Sequence, residues 1–172
     1  EYQRIPNLHI IPEISIAAVN EVRSVLLIRP RGRTILRSVA LDISSRTSVV
    51  LLKLLLQSKM GLHPEFIPHK PDAARMLQRC DAALIIGDAA LRCSAEEYDI
   101  TDLAAAWRQW QSRPFVFAIW ACRQKALSMN DLPGIFREAR DWGLNRIEEI
   151  AASYARTLSL PAAFLEQYLR CN

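Results

Sequence analysis

The chain has 172 residues, a formal net charge of +4, and a composition of 51% apolar and 23% charged residues. That is enough chain for a real core, and the balance excludes a disordered segment. The charge is too small and scattered for a nucleic-acid footprint. Its densest group, Arg29, Arg31 and Arg33, is interrupted by Pro30 and Gly32 and reads as a solvated basic loop.

No apolar run reaches the roughly 18 residues that would span a bilayer, so no membrane partner is expected. Cys80, Cys93, Cys122 and Cys171 form no Cys-x-x-Cys pair, and His9, His63 and His69 do not fall at helical metal-ligand spacing. Reduced thiols and no metal are expected. The chain begins at Glu1 and stops at Cys171-Asn172, and is read as a piece of a longer protein.

Leu8 to Ile11 and Ile14 to Ala18 are short apolar stretches broken by Pro12. Val22 to Ile28 predicts a buried strand ended by Arg29-Pro30. A basic loop follows, and Ser38 to Leu41 is a second buried strand. Several cap candidates in 42–48 precede an apolar run, Val49 to Met60, which predicts a mostly buried helix closed by Gly61. Glu65-Phe66-Ile67 is a brief strand. Pro71-Asp72 opens a helix over Ala73 to Arg79, and Ala82 to Ile86 is a third buried strand cut off by Gly87-Asp88. Strand, helix, strand, helix, strand in this order predicts a βαβαβ unit with parallel pairing. Asp102 to Trp110 is helical, Pro114 to Trp120 is a strand expected to be buried on both faces, and three helices follow: Leu132 to Trp142, Arg146 to Leu158 capped by Asn145, and Ala162 to Arg170 started by Pro161.

The fold class is therefore α/β. The two apolar strands near 22–28 and 114–120 bracket the βαβαβ unit. Two chain crossings around an inserted α/β lobe predict a two-lobed ligand-binding fold. Ligands in such folds bind between lobes, at strand C-termini and helix N-termini.

Few residues carry chemistry. Ser45-Arg46-Thr47-Ser48 sits where a helix begins, and unpaired N–H groups, the helix dipole and the hydroxyls of Ser45, Thr47 and Ser48 make a carboxylate or phosphate site. Arg46 opposes the dipole, which a bound anion would compensate. The alternative is a richly capped helix with a solvent-facing arginine. Gly87 and Asp88 follow the third strand of the unit, where small residues permit close approach and an aspartate can orient a donor or simply cap a turn. Ser24, in the first bracketing strand, is a binding residue or a small filler. It is also the best catalytic candidate in a chain whose catalytic group is otherwise not identifiable. Phe115, Phe117 and Trp120 are core, or the wall of an aromatic-product site. No Ser/His/Asp set, paired carboxylates or Gly-rich nucleotide loop can be picked out.

The ordered set Val39-Ala40-Leu41-Asp42, Ser45-Arg46-Thr47-Ser48, Leu51-Leu52, Gly61, Pro64, Met76-Leu77 and Asp81 through Leu91 resembles the central signature of the chorismate dehydratases of the futalosine route to menaquinone. Val22 to Leu27, and Trp107 through Pro114 to Trp120, resemble the flanking motifs. Arg113 departs from the Gly-Leu-type turn expected before Pro114.

The resemblance implies a type II periplasmic-binding-protein-like fold, two lobes around a cleft, with one α/β lobe whole over 29–113 and 1–28 and 114–172 forming hinge strands and part of the other, incomplete lobe. It also implies a cytoplasmic, cofactor-free hydro-lyase. Such an enzyme converts chorismate to 3-(1-carboxyvinyloxy)benzoate and water. It implies that Ser24 and Ser45, Arg46, Thr47 and Ser48 hold substrate carboxylates, with Gly87 and Asp88 close by. The expected partner is this small anion, not nucleic acid or membrane. Dimerisation is left open. The alternatives are a non-catalytic solute-binding or sensor protein of the same fold, and the sibling dihydroxynaphthoate synthase, against which Ser45-Arg46-Thr47-Ser48 with Ile86-Gly87-Asp88 argues.

Overall fold

A computed structural model describes residues 4–123 and 131–172. The chain is mixed α/β and divides into two compact units, Glu1–Ala17 with Val116–Cys171, and Ala18–Phe115 with Asn172.

The larger unit is built on a five-stranded sheet. Its strands are β2 (Val25–Pro30), β3 (Ser38–Asp42), β4 (Glu65–His69), β5 (Ala82–Ile86) and β6 (Tyr98–Asp102), following β1 (Leu8–Ala18) in the chain. They lie in the order β4-β3-β5-β2-β6. The three strands of the expected βαβαβ unit pair in parallel, Val39 opposite Phe66 and Ala82. Parallel strands need long crossovers, which α1 (Arg46–Leu54) and α2 (Ala73–Arg79) supply. α1 runs on into one π-helical stretch, Leu55–Lys59, and ends at Met60 before Gly61 at φ +66°.

The sheet is covered on both faces, which is why its strands read as continuous apolar runs. Leu26, Ile28, Ala40, Ala83 and Ile85 face Met76 of α2, Cys80 just after it, and Ala90 of α3 (Asp88–Leu91). Residues of opposite parity, among them Leu27, lie toward Leu52, Leu55, Leu56 and Leu103. Leu103 opens α4 (Leu103–Gln111), and it and Leu84 are fully buried.

β2 and β6 are antiparallel to their neighbours: Val25 opposes Ile86, and Leu26 opposes Asp102. The strand at 22–28, which the sequence reading sets outside the lobe, thus lies between β5 and β6. The compact unit spans Ala18–Phe115 where that reading drew 29–113. Apolar periodicity shows that a strand is buried but not which strands it joins. β6 has no counterpart in the sequence reading, because Tyr98-Asp99-Ile100-Thr101-Asp102 carries too much polarity to stand out.

The smaller unit pairs β1 with β7 (Phe115–Arg123) in a two-stranded sheet and adds α5 (Leu132–Leu144), α6 (Ile147–Leu158) and α7 (Ala162–Cys171). The two apolar stretches at 8–11 and 14–18 form one strand, β1: Pro12 lies within it, and the irregularity falls on Glu13 at φ +68°. β7 is not buried on both faces. Phe115 and Phe117 are half-buried, while Val116, Ile119 and Trp120 are exposed. One covering contact is Phe136 of α5, its ring 4.9 Å from that of Trp120. Asn145 closes α5 rather than capping α6, whose N-cap is Arg146. α6 and α7 bury Ile147, Ala151 and Leu165, with Arg170 bonded to Glu166 and Glu148 at the surface. Before Pro114 the left-handed turn residue is Ser112, φ +56°, so Arg113 need not turn the chain.

Candidate functional site

The C-terminal ends of β3 and β5 lie side by side because these strands are parallel neighbours. β2 runs against β5, so its beginning lies at the same edge. Three chemically distinct segments therefore meet along one edge of one sheet: Ser24 before β2, Ser45 to Ser48 after β3, and Gly87-Asp88 after β5.

Ser45 caps α1 in an extended conformation, φ −129°. Its Oγ accepts from Ser48 N at 3.3 Å and from Ser48 Oγ at 3.0 Å. Ser45 retains its own hydroxyl hydrogen to donate. Ser48 is 1% exposed, so its hydrogen-bonding capacity is turned inward to the cap and not outward to a ligand. Thr47 is half-buried and Arg46 exposed. No acidic residue occupies the first turn. The positive helix end therefore lacks the carboxylate that commonly offsets it. Asp42, also 1% exposed, accepts Ser44 N at 2.9 Å and shapes the turn into α1.

Gly87 takes φ +66° and ψ −141°, a conformation almost reserved for glycine. Its N–H donates to the Ser24 carbonyl at 2.8 Å, closing the gap between β5 and the turn before β2. Ser24 is 8% exposed, and its Oγ donates to Val22 O at 3.2 Å. Asp88 is exposed in the first turn of α3. A carboxylate there repels an anionic group, so its chemistry is to accept from a hydroxyl.

Sequence reasoning missed several residues at this edge. Asp102 ends β6, beside the start of β2. The sequence reading makes it the first helical residue, and nothing local signals that its carboxylate holds residues 22 and 23. A depression of about 380 Å³ lies over the ends of β3 and β4, walled by Asp42, Ile43, Ser44, Pro68, His69, Lys70 and Pro71. Lys70 adds a cation to the same side of the sheet as Ser45. Phe115 packs on Trp107, ring centroids 5.2 Å apart, within the larger unit, while Trp120 belongs to the smaller one.

Fold and edge together define a mixed α/β protein with a candidate anion site at its strand ends. The sequence profile of a family described as menaquinone biosynthesis matches residues 1–172, and the chain belongs to that family. It is 34% identical over 180 residues to the chorismate dehydratase of Thermus thermophilus, an alignment covering 95% of this chain and 66% of that protein. The chain thus spans just under two thirds of that relative's length. A crystal structure of a protein from Archaeoglobus fulgidus shares the fold, with a TM-score of 0.56 at 16% identity over 95% of this chain and 62% of that one.

Proposed function

We propose that this chain carries the anion-binding half of a chorismate dehydratase, a cytoplasmic carbon–oxygen hydro-lyase of menaquinone biosynthesis. The observation that carries the reading is the match of the family profile to every residue of a chain whose α1, at the strand ends, has no acidic residue in its first turn. The finer fold reading, a type II periplasmic-binding-protein-like arrangement, rests on the same membership.

The chemistry asks for what the edge offers. Chorismate is a dianion, and helix N–H groups with Ser45, Thr47 and Arg46 suit one of its carboxylates. Ser24 and Gly87 would approach the ring or the second carboxylate. Asp88 would accept from the ring hydroxyl. The reaction removes a ring proton from the carbon bearing the enolpyruvyl ether and hydroxide from its neighbour, giving water and a benzoate. Aromaticity supplies much of the driving force, so orientation and one proton relay are a sufficient contribution from the protein.

The test is incubation of the protein with chorismate, without added metal or nucleotide, followed by chromatography of the benzoate product. Turnover that falls on substitution of Arg46 or Ser24 is the expected result. Tight chorismate binding without product would favour a non-catalytic binding protein, and neither binding nor product would remove the proposal.

A further inference from the structure

Asp102 stands where β6 ends and α4 begins, and its carboxylate accepts four backbone N–H groups. Oδ1 takes Ala104 N at 2.9 Å and Ala105 N at 3.0 Å, an ordinary helix cap. Oδ2 takes Val22 N at 3.0 Å and Arg23 N at 2.6 Å. Capping does not require this second pair, which ties α4 to a turn far away in sequence.

That turn is strained. Arg23 lies at φ +57°, and Ser24 N donates to Val22 O at 2.7 Å, closing a three-residue ring over Arg23. A non-glycine residue holds such a conformation only where its surroundings over-determine it. Here they do so at two points. Oδ2 of Asp102 aligns the N–H groups of Val22 and Arg23 onto one oxygen, and the Ser24 carbonyl accepts Gly87 N at 2.8 Å.

We infer that Asp102 is a positioning residue: it holds the Val22–Ser24 turn in its left-handed conformation and so places Ser24 beside Gly87 at the candidate site. The inference rests on the proposed role of Ser24. With its two oxygens engaged by four N–H groups, Asp102 acts through the turn and not on the substrate.

The experiment compares Asp102→Asn, Arg23→Gly, their double variant and Arg23→Val by amide hydrogen exchange and by chorismate turnover. Asparagine keeps one acceptor oxygen of the two. Exchange at Ser24 and Gly87 should quicken about tenfold, the size of one net hydrogen bond, while Leu84 and Ile85 stay protected. Glycine adopts positive φ freely, so Arg23→Gly in the Asp102→Asn background should bring Gly87 back toward wild-type protection and restore kcat more than KM. Arg23→Val keeps the carboxylate and both caps but penalises positive φ. It should loosen Gly87 and leave Ala104 and Ala105 protected, and it serves if Asp102→Asn does not fold.

Changes confined to the α4 amides, with Gly87 unaffected in both Asp102→Asn and Arg23→Val, would reduce Asp102 to a cap and overturn the inference. The expected exchange pattern in a wild-type protein that does not turn over chorismate would keep the positioning role and discard the substrate. Turnover with no response at Gly87 would do the reverse.

Discussion

Asp81 offers the sharpest test of how the sheet is held. It lies just before β5, at the edge opposite the candidate site, and is 9% exposed. Its Oδ2 accepts Arg37 N at 2.8 Å, Ser38 N at 3.0 Å and Ser38 Oγ at 3.2 Å, while Arg33 pairs with Oδ1 at 3.0 Å. Asp81→Ala leaves two main-chain donors and a hydroxyl without their acceptor. A buried donor left unpaired costs about 1–3 kcal/mol. The half-buried setting lets water replace part of this, for a net loss of about 2–3 kcal/mol. The Arg33 side chain is 46% exposed, so its screened pair adds only a few tenths of a kcal/mol.

The same geometry gives the loss a pH signature. The Arg37 N–H, helped by the Ser38 donors and Arg33 and opposed by burial, lowers the Asp81 carboxyl below its ordinary value of 3.8. A depressed folded value means stability that is complete above the unfolded value and lost as pH falls through the folded one. Urea unfolding followed by the fluorescence of Trp107 and Trp110, in the same unit, measures it. The gap between wild type and Asp81→Ala should be full at neutral pH and shrink below about pH 4. A gap under about 0.5 kcal/mol, the usual size of a surface substitution, or one unchanged down to about pH 3, would mean that the Asp81 carboxylate does not hold this end of the sheet. The Michaelis constant for chorismate should not move, since Asp81 lies at the far edge.

Gly87→Ala meets no atom within 4 Å of the new Cβ, so its cost is backbone strain alone, about 1–3 kcal/mol, read as a lower melting temperature. Ser45→Ala removes the cap of α1 and the partner of both Ser48 donors, costing about 1 kcal/mol by urea unfolding and weakening chorismate binding in calorimetry. Arg46→Ala should raise the Michaelis constant for chorismate about 10- to 100-fold, the loss of one charge-assisted contact. An unchanged constant would detach Arg46 from the site.

Much of the larger unit was legible in the sequence because its physics is local. Val39 to Leu41 and Ala82 to Ile86 are apolar throughout, and only strands covered on both faces need that. Asp72 caps α2 through Arg75 N, and Ser45 caps α1 through Ser48 N, as their spacing predicts. The anion-ready helix end was visible for the same reason.

Tertiary structure decided what depends on partners distant in sequence. Nothing local sets β2 between β5 and β6, since an apolar strand suits either a hinge or a sheet interior. β6 draws its identity from pairing with β2, not from its own polar sequence. Ser48 looks like a donor to a ligand until burial turns its hydroxyl inward. Phe115 to Trp120 looks like a core strand, yet its sheet has only two strands among the described residues. Asp102 is the clearest case: one oxygen caps the helix that follows it, and the other holds a strained turn some eighty residues earlier, which only the assembled sheet brings within reach.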